Sequence, residues 1–159
     1  MTRLREGVAQ SVRPVPDEVA LPEHGETRPD RVATILRALG AIAVLVVGAV
    51  HLEQYFAEHF DVVPIIGPLF VLNFAGATLI GFGLLVPGAR MQPLHLLLAL
   101  GGIGLSATAF VFLFVSEHQP LFGFQDYGYR TEIVVALAAE AAAAVTLAAY
   151  LAVRARRRV

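Results

Sequence analysis

One carboxylate interrupts the apolar run TEIVVALAAEAAAAVTLAAYLAV, residues 131–153, and stands close to its middle: Glu140. An ionisable group at the centre of a membrane-spanning helix costs about 2.5–3.5 kcal/mol on insertion scales, so something must offset it. Three uses compete. As the neutral acid, Glu140 can donate a hydrogen bond that ties neighbouring helices together. As a working group it can exchange a proton or hold a small ligand, as intramembrane carboxyls often do. Otherwise it meets a second copy of the chain or a partner's helix.

Depth counting supplies it with neighbours. Glu140 lies nine residues inward from Thr131, Asn73 nine inward from Pro64, and Ser106 nine inward from Val115. At roughly 1.5 Å per residue all three fall about 13 Å below the same interface. The expectation is one polar layer in which Glu140 faces the interior, with Asn73 or Ser106 in hydrogen-bond reach or one water away. The first span offers only Val44 and its apolar neighbours at that level.

A second constellation lies nearer the surface. In HLEQYFAEH a continuing helix puts His51, Tyr55, Glu58 and His59 on one face, and His118 sits beyond the third span. Imidazole and carboxylate are zinc or copper ligands, so His51, Glu58, His59 and His118 form the candidate metal set. The spacing is not H-E-x-x-H, and a solvated acidic rim with Glu53, Asp61, Glu117 and Asp126 is the simpler account. Haem between His51 and His118 would require two opposed axial imidazoles. No cofactor is called for. His95, without an evident partner, reads as interfacial. Ser106 has no histidine at its level, so no nucleophile–base pair argues for an enzyme.

The elements that must position these residues follow from composition. The chain has 159 residues, 57% of them hydrophobic, and a mean hydropathy of +0.67, against about 45–50% apolar in ordinary soluble domains. It contains no cysteine and no lysine, which removes disulfides, thiolate metal sites, cysteine redox chemistry and Schiff-base lysines. Residues 1–30, rich in proline and charge, read as a disordered tail. Four spans follow, at about 32–52, 64–86, 93–115 and 131–153, each long enough to cross a bilayer, and a basic tail closes the chain at 154–159. Arg37 can snorkel to the nearer interface. Pro64 suits the first turn of the second span, with Pro68 marking an irregular start. Phe122, Phe124, Tyr127 and Tyr129 are placed as an interfacial aromatic belt, and Thr131 as an N-cap with Glu132 beside the positive helix end.

Arginines set the orientation. They occupy the N-terminal tail, the turn at Arg90 and the C-terminal cluster, whereas the opposite loops contain only Arg130. By the positive-inside rule both termini are cytoplasmic and the protein resides in the cytoplasmic (inner) membrane. Glycines at 40, 48, 76, 81, 83, 101, 102 and 104 permit close helix approach. With short connections this gives an all-α, up-down four-helix integral membrane bundle. Its partners are the lipid bilayer and a homo-oligomer or larger membrane complex, with nothing to suggest nucleic acid.

The succession HLEQYF, PIIGPLFVLN and a glycine-rich second half of span two resembles small uncharacterised four-span bacterial membrane proteins. In size and layout, over residues 32–153, it is similar to the DoxX-like group. The resemblance implies a fold and transfers no site residues. The expected function is therefore a small binding, transport or accessory subunit, whose polar layer takes a proton or small ligand. The alternatives are a membrane-bound redox or metal protein using the outer histidines, and a purely structural subunit.

Overall fold

The structure, a computed structural model, describes residues 31–125 and 127–156. The expected disordered tail at 1–30, Asp126 and the last three residues lie outside that range. Among the described residues the architecture is all-helical, with four helices long and apolar enough to span a membrane. They are α1 (Arg31–Ala57), α2 (Ile66–Leu85), α3 (Gln92–His118) and α4 (Thr131–Arg156).

Small residues decide where the helices touch. Gly48 of α1 faces Ala77 of α2, and Gly81 of α2 faces Leu45 of α1; Gly40 faces Leu147 of α4. Gly102 of α3 also abuts Leu147, while Gly76 and Gly83 of α2 receive Leu105 and Leu98 of α3. Between α1 and α2, and between α2 and α3, the numbers rise along one helix as they fall along its neighbour. The shared core of Val44, Ala77, Ala99, Ala143 and Leu147 is fully buried. In a bilayer such contacts are held by close packing, because lipid is as apolar as leucine.

The helix limits differ from the expected spans in ways that matter. α1 continues five residues past Leu52, so EQYFA is helical. α2 begins at Ile66, which leaves Pro64 outside and puts Pro68 in the first turn, where its missing N–H would have no partner anyway. Thr131 is the first helical residue of α4, not its cap: the carbonyl of Arg130 accepts the first intrahelical bond, from Val134.

Arg37 lies half-buried on α1. Its guanidinium turns onto the C-terminal end of α2, donating to the carbonyls of Leu84 and Val86, the latter at 3.0 Å. These are carbonyls that a helix end leaves without partners, and a cation there also suits the helix dipole. His95, without an evident partner in the sequence, has one in the structure and is 3% exposed. Its Nε2–H donates to Val86 O at 2.9 Å, with the Arg37 guanidinium packed against the ring. Arg154 on α4 reaches Gln92 beside them.

The opposite end is roofed by two loops. A single 3-10 turn, Phe60–Val62, precedes a γ-turn in which Ile66 N–H bonds Pro64 O at 2.8 Å, with Ile65 held at φ 69, ψ −52. A β-branched residue in that region is strained by about 1–3 kcal/mol. Closing the loop needs Gly67, where an added Cβ would sit 2.5 Å from the Phe60 carbonyl oxygen. Gly67→Ala should therefore destabilise the protein by about 2 kcal/mol, in the range of overpacked sites, read as a lower unfolding midpoint in micelles. In the second loop Leu121 and Phe124 exchange two backbone bonds around Phe122 (φ 52) and Gly123 (φ 82), a two-residue turn with both central φ positive. This folds Phe124 inward against Phe60, with centroids 5.2 Å apart. Phe124 is thus part of a roof and not of an aromatic belt, whereas Phe122, Tyr127 and Tyr129 are exposed.

Candidate functional site

Beneath that roof lies a cavity of about 380 Å³, within the range of small-molecule pockets. Phe60, Phe70 and Phe124 cover it, Phe60 and Phe70 stacking at 4.7 Å. Its α2 wall includes Leu69 and Asn73, and its α3 wall Leu105, Thr108 and Phe112. At its inner end stand His51 and Glu140.

Glu140 faces the interior as expected, at 1% exposure, yet not with the expected neighbours. Glu140 Oε2, Asn73 Oδ1 and Ser106 Oγ are all buried and none has a hydrogen-bond partner. Equal depth has not produced bonding. Asn73 and Glu140 line the same cavity, while Ser106, 0% exposed, does not line it.

The nearest charged-group partner of Glu140 comes from α1, the helix expected to contribute nothing there. His51 Nε2 lies 3.9 Å from Glu140 Oε1, too long for a hydrogen bond and close enough for an ion pair. Two geometric facts bring them together. α1 runs on to Ala57, which moves His51 from a helix end to a helix interior. Side chains also lean toward the N-terminus of their own helix. His51 therefore leans inward and Glu140 leans toward the roof, and residues at different Cα levels converge.

The ring orientation of His51 is set by its own helix. Nδ1–H donates to Val47 O at 2.8 Å, so in the neutral ring Nε2 carries the lone pair and faces Glu140. Phe70 packs on the ring with centroids 5.0 Å apart. The pair is a carboxyl and an imidazole that face each other on the wall of a largely apolar chamber, with a gap that a hydrogen-bonding group of a ligand could bridge. Two further polar groups line the chamber: buried Gln54, and Ser116, whose hydroxyl donates to Leu113 O at 2.8 Å.

The candidate metal residues are not gathered. Among the described residues no group of three or more His, Cys, Asp or Glu is placed to hold a metal ion. His51 turns to Glu140, and Glu58 pairs with Arg130 across the two loops. His59 is exposed in a left-handed backbone conformation, φ 57. His118 Nδ1–H donates to Phe114 O at 2.7 Å, its ring against that phenyl. The rim is instead knitted by local bonds, including Gly128 N–H to Glu117 at 3.0 Å.

The core between this site and the Arg37–His95 cluster is apolar, built from Ala41, Val44, Ala77, Ala99 and Leu147. The cavity is therefore one-sided. Family models, curated proteins and solved structures yield no match to this chain, and the functional reading rests on this geometry.

Proposed function

We propose that this protein is an up-down four-helix bundle of the cytoplasmic membrane, with both termini cytoplasmic, that binds a small molecule in the roofed cavity against Glu140 and His51. The observation that carries the reading is a carboxyl at 1% exposure with one oxygen unpartnered, on the wall of a cavity large enough for a ligand. Buried polar atoms are bonded in the great majority of cases. An unsatisfied group facing a cavity is what a binding site carries before its ligand arrives. Interhelical glue is supported less well, since Glu140 makes no hydrogen bond to another helix. Conduction across the membrane is also supported less well, because apolar core fills the space between the two polar ends. The arginine asymmetry supports the orientation, and the roof then faces outward.

The test is retention of a bound molecule. Protein purified in a mild detergent is extracted with organic solvent, and the extract is compared by mass spectrometry with that of His51→Leu. Loss of the imidazole removes a polar contact worth about 1–2 kcal/mol, a drop of roughly tenfold in occupancy or more. A small molecule enriched in the parent and depleted to that extent in the variant is expected. Identical extracts from both proteins would sink the reading.

A further inference from the structure

Resting on that cavity reading, we propose that the ligand enters sideways from the bilayer, between α2 and α3, and that its polar head donates hydrogen bonds, as a hydroxyl or a protonated amine does.

The route follows from where the cavity is closed and where it is open. The end facing the loops is covered by the Phe60, Phe70 and Phe124 rings and clamped by the Glu58–Arg130 pair. The flank is not covered. Leu72, which lines the cavity, is 64% exposed. Gly104, opposite on α3, also lines it, and an added Cβ there would meet nothing within 4 Å. Thr108 and Phe112 complete an exposed α3 edge. In a helix that crosses a bilayer this flank is bathed in hydrocarbon, so the molecule that reaches it must be dissolved in lipid.

The chemistry of the head follows from the atoms left without partners. On the residues that line the cavity these are Glu140 Oε2 and Asn73 Oδ1, both oxygens, and with His51 Nδ1–H bonded to Val47 O, Nε2 of the neutral ring is a further acceptor 3.9 Å from Glu140 Oε1. Among the described residues no arginine lines the chamber, so an anionic head would find there no guanidinium of the kind that recognises carboxylate or phosphate. A donor head satisfies the acceptors in place. A hydroxyl does so as a neutral molecule. An ammonium does so with Glu140 ionised as its counter-ion and with phenyl faces nearby for cation–π contact.

The experiment uses the full chain in phosphatidylcholine nanodiscs, with empty discs as the partition blank. Three probes share one apolar body: para-hexylbenzyl alcohol, its methyl ether, and para-hexylbenzylamine. The alcohol, the amine or both should bind about tenfold more tightly than the ether, the loss expected when a buried acceptor is left unpaired. That preference should vanish in Glu140→Leu. Which donor wins separates the neutral head from the cationic one. Gly104→Phe and, independently, Leu72→Trp narrow the flank and should slow association about tenfold, with thermal unfolding confirming that each is folded. An ether that binds as well as both donors overturns the head chemistry. Unchanged association in both flank variants overturns the route and leaves the cavity standing. If no probe binds a protein that still retains a co-purifying molecule, the ligand class is wrong; if neither is bound, the cavity reading itself fails.

Discussion

Glu140→Leu should raise the stability of this protein by about 1–3 kcal/mol while abolishing ligand retention. The expected gain is what an unsatisfied buried polar group withholds from a fold. The two side chains are similar in length, Glu140 is 1% exposed, and no hydrogen bond is lost. Insertion of α4 improves in the same direction, since leucine at a helix centre is favourable where a carboxyl is not. Glu140→Gln should separate shape from ionisation, keeping a polar group without a titrating one. The measurement is the denaturation midpoint in mixed micelles beside the solvent-extract assay. A more stable and empty protein is the signature of a site that departs from optimal packing for its function. A destabilised Glu140→Leu would instead identify Glu140 as a structural tie.

Arg37→Met should act in the opposite sense and cost on the order of 3 kcal/mol. Methionine keeps most of the apolar stem and removes the donors to the carbonyls of Leu84 and Val86. It also uncovers His95, which the guanidinium packs against. Arg37→Lys should recover only part of the loss, because an ammonium is a point charge and cannot span two carbonyls with a rigid fork. The same midpoint measurement reads both variants, and equal stability of Arg37→Met and the parent would remove the capping role.

The two ends of the molecule were unequally legible in the sequence. Four apolar runs of bilayer length announce four helices, and glycine and alanine at close spacing announce where they touch; Gly48 against Ala77 and Gly102 against Leu147 are the outcome. Glu140 is conspicuous because nothing else near it is polar, and its interior orientation follows. His51 is hidden by its position. At the edge of the hydrophobic run it resembles a surface residue, and only the continuation of α1 through EQYFA, together with the opposed lean of side chains on antiparallel neighbours, turns it toward Glu140. The Arg37–His95 cluster is less legible still, since its acceptors are main-chain carbonyls, which leave no mark on residue type. Asn73 and Ser106 show the limit of counting depth. A shared level does not fix which way a side chain faces, and Ser106 lies outside the cavity that Asn73 and Glu140 share.

α1 carries both Arg37 and His51, and apart from the bond of His51 to Val47 within the helix, the partners described above are made later. The carbonyls of Leu84 and Val86 arrive with the second helix, His95 with the third and Glu140 only with the fourth. During synthesis, then, α1 leaves the ribosome bearing a guanidinium and an imidazole before the partners on α2, α3 and α4 exist. It stays poorly housed in lipid until its successors are made. Assembly is completed from the far end of the chain, and a nascent protein halted before residue 140 should be the form that quality control removes.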